Sequence, residues 1–467
     1  MSTLESWQLR SEFARRLSVM YGKEVPAYNT LVDVSTEVNE DYVRRHGERA
    51  SRLGSISRVT AERHGAIRVG SEREMAQVGR IFAAFGMHPV GFYDLRDASS
   101  SSVPVVSTAF RPLAADELAK NPFRVFTSML ATSDHRFFND ELQEELTRFI
   151  DGRELFGQRL LELADKASAD GGLPSDEAEE LLDLATGAFE LSDEPVDHDW
   201  YRKLEKISAV AADIGGVPTT HVNHLTPRVL DIDELYSRMQ ARGITMIDEI
   251  QGPPAWEGPD VLLRQTSFRA LGEDRVFRFS DGSVRNGELR VRFGEVEARG
   301  IALTAKGRDL YDAMVAEVDE RLEAAPEGTT RVAMAHQVWK ERLPRTENEL
   351  AERGLAHFTF ELNEESGATL PDHGGRIPLT ELIRSGAVIS QPIVYEDFLP
   401  RSAAGIFQSN LTEDGTKDDS LAGTDYDIDR MSQILGVKVC DPGELYAAQQ
   451  NASIEALARR LNVDIVQ

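Results

Sequence analysis

The sequence predicts an α+β fold in which two similar β-rich modules follow a helical layer and are separated by a helical insertion. Three observations lead to this fold class: a repeated order of elements, helical apolar spacing near the N-terminus, and an acidic helical run in mid-chain. We expect a helical layer at 1–60, a first module at 61–140, the insertion at 141–215, a second module at 216–310, and a C-terminal helical and strand region at 311–467. A chain of 467 residues is long enough to build these units.

The two helical regions are predicted from the spacing of their apolar residues. Leu9, Phe13, Leu17 and Met20 recur at intervals that place them on one helix face. From about residue 140 the segments ELQEELTRFIDGRELFGQRLLELADKA and EAEELLDLATGAFEL show the same period, and GGLP interrupts them. These patterns predict a leader layer and an insertion between the modules.

The two β-rich stretches repeat one order of elements. Each has a histidine in a strand-like segment, then a helix-like segment, a glycine opening a second strand, and a strand ending in Phe-Arg. His64 precedes Phe110 by 46 positions and His224 precedes Phe268 by 44, and the endings STAFRPL and QTSFRAL share Thr, Phe, Arg and Leu in register. Chance similarity of two small units is the alternative, but an internal duplication explains the matched spacing better.

Charge and cysteine content exclude several functional classes. The net charge of -27 would repel a phosphate backbone, which argues against nucleic acid as a partner. The single cysteine, Cys440, allows neither an internal disulfide nor a thiolate metal cluster. No apolar run is long enough to span a membrane and the N-terminus lacks a secretory pattern, so we expect a cytoplasmic protein. Any metal must bind histidine and carboxylate ligands.

Two histidines and an acid form the candidate metal site. His64 and His224 hold the same place in the two stretches, which favours His224 over His221 as the second ligand. In GELRVRFGEVEARGIALT the alternation of a strand puts Val291, Phe293 and Glu295 on one side, so an acid projects from an apolar face. Glu297 shares that face and stays the alternative. Two imidazoles and one carboxylate leave three adjacent positions open on a mononuclear iron.

Arg68 is the candidate for binding an anionic substrate. It follows His64 by four residues, a spacing that places both side chains on one face of a strand or a helix. A planar guanidinium suits bidentate pairing with a carboxylate. A structural salt bridge is the alternative role for this arginine.

The duplicated order with one histidine per copy resembles the vicinal-oxygen-chelate fold, in which two βαβββ modules form a half-open barrel around one metal. The segment FGEVEAR is similar to the strand that supplies the metal glutamate in 4-hydroxyphenylpyruvate dioxygenases and hydroxymandelate synthases. That resemblance points to Glu295 rather than Glu297.

Four segments together resemble the bacterial 2-oxoadipate dioxygenase/decarboxylase family: HGAIRVG, HVNHLTPRVLDID, EVEARGIALTAKGRDLYD and VYEDFLPRSAAGIFQSNL. The resemblance spans nearly the whole chain and implies an iron(II) centre on His64, His224 and Glu295. It also implies substrate contacts from Arg68 and from the loop at Arg401 and Ser402. An aliphatic residue is common in the family where this chain has Arg401.

The resemblance implies a reaction in which 2-oxoadipate and dioxygen give D-2-hydroxyglutarate and CO2, a step of bacterial lysine breakdown. A metal-dependent isomerase or lyase of the same fold, acting on a 2-oxo acid without dioxygen, is the main alternative. A metal-free binding module is disfavoured by the matched histidines. LTAKGRDLYDAM is similar to the start of a helix in winged-helix regulators, but the negative charge argues against that class.

Overall fold

The computed structural model describes residues 3–97, 103–289, 292–365, 375–400, 402, 406, 409–410, 416–418 and 420–466. The strands are β1 (Thr3–Glu5), β2 (Arg63–Val69), β3 (His88–Asp94), β4 (Val105–Arg111), β5 (Arg124–Leu130), β6 (Gly172–Pro174), β7 (Val196–Asp197), β8 (Val222–Pro227), β9 (Leu263–Ser267), β10 (Glu273–Arg278), β11 (Val284–Leu289), β12 (Glu295–Arg299), β13 (Phe358–Leu362), β14 (Arg376–Pro378), β15 (Val388–Pro392) and β16 (Asp464–Val466).

The helices are α1 (Ser6–Glu24), α2 (Pro26–His46), α3 (Ile56–Ala61), α4 (Glu72–Ala84), α5 (Ala115–Lys120), α6 (Asp140–Asp151), α7 (Gln158–Asp170), α8 (Ser175–Gly187), α9 (His198–Glu205), α10 (Ala209–Gly215), α11 (Ile232–Ala241), α12 (Ala305–Glu323), α13 (Arg331–Arg342), α14 (Glu347–Glu352), α15 (Leu379–Arg384), α16 (Ile428–Leu435) and α17 (Pro442–Leu461). None of the helices in the described part of the chain has both the length and the apolar character that crossing a bilayer requires.

A five-stranded sheet lies at the centre, in the order β3-β4-β5-β2-β8. The first stretch of the sequence forms β2, α4, β3, β4 and β5, with the short helix α5 in the connection between β4 and β5, so apart from α5 its element order is βαβββ. The strand β2 pairs in parallel with β5 and antiparallel with β8, the first strand of the second stretch. The first strands of the two stretches are therefore neighbours.

The second stretch follows the same order less completely. After β8 and α11, the residues from Gly243 that the sequence predicts as a strand form only isolated bridges, Met246 to Phe268 and Gln251 to Gln265. The next strands, β9 and β12, pair antiparallel, and a parallel bridge between Arg228 and Glu297 joins β12 to the end of β8. The β10–β11 hairpin is inserted between β9 and β12. The sheet does not close into a barrel.

The prediction of one continuous strand through GELRVRFGEVEARGIALT is wrong. The chain runs along β11, is irregular at residues 292–294, and resumes as β12, while Val291 lies outside the described residues. The break arises because β11 pairs with β10 whereas β12 pairs with β9. At Gly294 a Cβ atom would lie 2.0 Å from Cε1 of Phe268, so any larger residue here would require the Phe268 ring to move.

The two faces of β2 contact different parts of the molecule: one face packs against the helical core and the other faces the site. Ile67 and Val69 pack in one core cluster with the buried face of α1, including Leu9, Phe13 and Leu17. Ala66 lies on the opposite face, in the second core cluster. Because side chains alternate along a strand, His64 and Arg68 share the face of Ala66. The helical layer therefore supports the sheet from behind, and the polar residues face inward.

Candidate metal centre

Three buried side chains converge on the inner face of the sheet. His64, His224 and Glu295 each offer a ligand atom, and these atoms all lie within 4.8 Å of one another. His64 Nε2 lies 3.5 Å from Glu295 Oε1, and His224 Nε2 lies 3.6 Å from Glu295 Oε2. All three residues are at most 5% exposed. We refer to this group as the triad.

Strand register brings the triad together. His64 on β2 pairs with Thr226 on β8, and Ala66 pairs with His224, so the two histidines lie one diagonal step apart. Glu295 begins β12, the strand that adjoins the end of β8. The irregular segment before it places the ring of Phe293 5.3 Å from that of His224. Neighbouring strands thus supply one ligand each.

Burial and neighbouring charges shift the pKa values of the three triad side chains in different directions. Burial, together with the nearby His64, holds the pKa of His224 well below its ordinary value, so this imidazole is neutral. Burial raises the pKa of Glu295, and His64 opposes that shift. Burial would lower the pKa of His64, but the carboxylates of Glu297 and Glu295 outweigh it and raise the pKa.

Glu297 lies behind His64 rather than among the triad. Its Oε2 atom is 2.9 Å from His64 Nδ1, the ring nitrogen that points away from Glu295. Arg299 donates to both Glu297 oxygens, at 2.7 and 2.9 Å. Although burial opposes it, Arg299 and His64 lower the pKa of Glu297 to about 2. A carboxylate in this position fixes the imidazole tautomer and turns Nε2 toward a metal. The geometry therefore favours Glu295 over Glu297 as the ligand.

Glu297 belongs to a buried ion-pair network at one end of the site. Arg124 reaches Glu62 at 2.8 Å and Glu297 at 3.4 Å, and Arg228 reaches Glu62 at 2.8 Å. Arg58 and Arg124 both pair with Glu396. Breaking one buried pair leaves an uncompensated charge, at a cost of about 3–5 kcal/mol. The network therefore fixes Glu297 rigidly in place.

Arg68 shares the inner face of β2 with His64, but it is not among the described residues that line the cavity beside the triad. It donates to Asp213 from Nη1 at 2.5 Å, and Asn223 donates to the same Asp213 oxygen at 2.9 Å. His221 Nε2 is 3.4 Å from Asp213 Oδ1, and burial lowers the pKa of His221 to about 3. His221 thus supports Asp213 and is not one of the triad. Sequence reasoning missed Asp213, because nothing distinguishes it from the other acids of the helical insertion.

A small cavity adjoins the triad. Its other lining residues are Phe126, Gln265, Phe398 and Ile406. The cavity volume is about 20 Å³, enough for one water molecule. The rings of His64 and Phe398 are edge to face, with centroids 5.0 Å apart. The segment that follows β15 therefore covers the triad.

The loop residues predicted to contact substrate are only partly described. Arg401 lies outside the described residues. Ser402 is buried, but it is not among the described residues that line the cavity. Nearby, Arg111 pairs with Asp397 at 2.8 Å, and Arg269 donates to the carbonyl of Ser409 at 3.2 Å. These arginines, which hold matched places in the two stretches, both bind the covering segment.

The residues present fit a divalent transition metal. Two imidazole nitrogens and a carboxylate are donors that iron, zinc and manganese all accept. The described residues contain no other group of three such donors at this spacing. Glu297 gives one ligand the outer-shell carboxylate that metal-binding histidines commonly have.

Glu297→Gln is expected to weaken metal binding by about 10- to 100-fold, because the outer-shell partner of His64 loses its charge. Glu396→Gln is the matched control, since it removes a carboxylate from the same network without contacting His64. Dissociation constants from anaerobic iron(II) titrations would measure both. Equal losses in the two variants would show that Glu297 acts through fold stability alone.

Metal affinity is expected to rise with pH through the neutral range. In the metal-free protein the raised pKa of His64 favours its protonated form, so a metal that binds His64 must displace this proton. The competing proton is present below that pKa and is lost as pH rises through it. Iron(II) titrations between about pH 6 and 8 would measure the slope. A flat profile would contradict a protonated His64 in the metal-free state.

The chain is similar to known proteins over nearly its whole length. The family model for 2-oxoadipate dioxygenase/decarboxylase matches residues 13–410. A relative from Mycobacterium tuberculosis named 2-oxoadipate dioxygenase/decarboxylase is 53% identical over 95% of this chain and 97% of the relative. A relative of the same name from Pseudomonas putida is 40% identical over 97% of each chain. The crystal structure of hydroxyglutarate synthase in complex with 2-oxoadipate from Pseudomonas putida matches with a TM-score of 0.83, at 37% identity, over 99% of this chain and 100% of that chain.

Proposed function

The chain belongs to the 2-oxoadipate dioxygenase/decarboxylase family, and from this premise we propose that it converts 2-oxoadipate and dioxygen to D-2-hydroxyglutarate and CO2. The cofactor in this proposal is iron(II), held by His64, His224 and Glu295. The observation that carries the proposal is the convergence of these three donors, within 4.8 Å, in a buried cavity. The cytoplasmic location and the place in lysine breakdown stay predictions from the sequence.

Bound iron(II) would supply one site at which a 2-oxo acid and dioxygen meet. The residues of the chain provide the surroundings that this chemistry needs. Phe126, Phe398 and Ile406 keep bulk water away from the triad. Glu297 holds the Nδ1 side of His64 and so orients the Nε2 lone pair. The fold thus provides both the orientation of the His64 ring and the exclusion of bulk water from the triad.

Arg68 is proposed to bind the distal carboxylate of the substrate. It lies four residues beyond His64 on the same face of the strand, about 13 Å along the chain at the usual rise, and its guanidinium pairs with Asp213. Its positive charge contributes to the lowered pKa of His224, which supports a position within electrostatic reach of the triad. Asp213 would hold the guanidinium in position. This role selects a dicarboxylic over a monocarboxylic 2-oxo acid.

We also propose that the two stretches are duplicated modules of the vicinal-oxygen-chelate type. The order strand, helix, strand, strand, strand is complete in the first, and β8, α11, the bridges at Met246 and Gln251, β9 and β12 follow it in the second. In both, the last strand runs parallel to the first. The sheet around the triad is then a half-open barrel.

The substrate is proposed to displace part of the covering segment. The space beside the triad is about 20 Å³, which is smaller than a six-carbon dicarboxylate, and Phe398 and Ile406 line it. Both lie on the segment that Arg111 and Arg269 bind. Entry thus depends on side chains that are separate from the triad.

The test is anaerobic iron loading followed by addition of 2-oxoadipate and dioxygen in one vessel. Equal amounts of dioxygen consumed, CO2 released and 2-hydroxyglutarate formed are expected. Chiral analysis of the product tests the D configuration. Turnover without dioxygen uptake would instead indicate the isomerase or lyase, an alternative that the names of the relatives do not favour.

A further inference from the structure

The polar side chain of Gln265 lines the cavity beside the triad. Gln265 lies on β9 and is 3% exposed. The described hydrogen bonds of Gln265 are made by its backbone, which pairs with Gln251 and with β12. Its carboxamide is therefore placed to bond with a group that enters the cavity.

The neighbours of Gln265 on the same face are already satisfied. Gln265 pairs across the strands with Glu297, whose two oxygens accept from Arg299. Ser267, two residues along β9, accepts from Asn410 at 2.9 Å. These neighbours already have hydrogen-bond partners of their own, whereas the carboxamide of Gln265 borders the cavity.

The register sets which part of a substrate Gln265 can reach. Ser267 pairs directly with Glu295, so Gln265 is diagonal to this ligand, at the roughly 7–8 Å that long side chains bridge. The 2-oxo end of a substrate lies at the triad, whereas Arg68 is placed for the distal end. Gln265 is therefore positioned for the end of the substrate that the triad holds.

We propose that Gln265 is a substrate-binding residue whose amide N–H donates to the C1 carboxylate of the 2-oxo acid. This inference rests on the proposed function. Among the described residues that line the cavity outside the triad, the other three are apolar. Gln265 thus supplies the neutral hydrogen bond that orients the reacting end, while Arg68 takes the distal charge.

The test compares two ligands by anaerobic calorimetry on the iron-loaded protein. Both 2-oxoadipate and 2-oxohexanoate share the reacting end, and only the first has a distal carboxylate. Gln265→Met, of similar length but without hydrogen-bonding atoms, is expected to raise Kd for both by about 10- to 100-fold. Arg68→Met is expected to raise Kd for 2-oxoadipate alone.

Thr266→Val is the matched control. Thr266 is fully buried on the same strand, its hydroxyl lacks a partner among the described residues, and it faces the other side of the sheet. Its replacement should leave both Kd values unchanged. Should Gln265→Met fail to fold, Gln265→Ala removes the same contact with a smaller side chain.

Each outcome decides the inference. If Gln265→Met binds both acids as the wild type does, or loses affinity for 2-oxoadipate alone, the assignment to the C1 carboxylate is wrong. A wild-type protein that binds neither acid would overturn the proposed function and the inference with it. Unchanged iron content in Gln265→Met with a raised Kd for both acids supports the direct contact.

Discussion

His224→Ala is expected to abolish iron retention and dioxygen uptake together. The substitution removes one of three donors and leaves Glu295 next to a cavity without a neutral imidazole. Loss of an outer-shell partner alone costs about 10- to 100-fold in metal affinity, so loss of a ligand should exceed that. Metal content after anaerobic loading and dialysis, and electrode traces with 2-oxoadipate, would measure the two effects.

His357→Ala is the control for this variant. His357 is also buried, at 6% exposure, but its ring lies beside Tyr446 and outside the triad. Its replacement should retain iron at the wild-type ratio. Iron retained by His224→Ala at that ratio would remove His224 from the ligand set and leave the proposed centre incomplete.

Arg68→Met is expected to weaken 2-oxoadipate binding by about 100-fold and to leave iron retention unchanged. A charge-assisted pair with a carboxylate is worth roughly 1.5–3 kcal/mol, and methionine keeps most of the volume. Calorimetry under anaerobic conditions gives the Kd, and elemental analysis gives the iron content. Equal loss of iron and substrate binding would contradict a substrate role for Arg68.

The buried Asp213 requires a control of its own. Arg68→Met leaves its carboxylate without the guanidinium that now lies 2.5 Å away, which costs stability whatever the role of Arg68. The double variant Arg68→Met with Asp213→Asn removes that charge. Weak 2-oxoadipate binding that persists in the double variant, with normal thermal stability, would assign the loss to the missing substrate contact.

The paired histidines could be predicted because they hold matched places in two similar stretches of the sequence. Spacing alone singled out His64 and His224, and the strands β2 and β8 that carry them are neighbours. The face of Glu295 was also predictable from alternation. Alternation cannot separate Glu295 from Glu297, however, because residues two apart share a face. The neighbouring arginines distinguish the two acids, because Arg299 and Arg124 pair with Glu297 and hold it away from the triad.

Other parts of the site depend on contacts that sequence patterns do not encode. The pairing of Asp213 with Arg68 joins residues 145 positions apart. The residues after Gly243 form only isolated bridges, and the break at 292–294 lies where the chain leaves the β10–β11 hairpin and joins β9 as β12. Gln265 could not be identified from the sequence, because its place beside the triad depends on the pairing of β9 with β12. Long-range pairing, rather than local propensity, sets these features.

The most direct test of the proposed reaction is the fate of dioxygen labelled with the heavy oxygen isotope during conversion of 2-oxoadipate by the iron-loaded protein. The proposed dioxygenase reaction predicts that mass spectrometry finds both labelled atoms in 2-hydroxyglutarate, one in the new carboxylate and one in the hydroxyl, with CO2 released from C1. Unlabelled 2-hydroxyglutarate, or 2-hydroxyglutarate that forms at the same rate when dioxygen is left out, would contradict the proposed reaction.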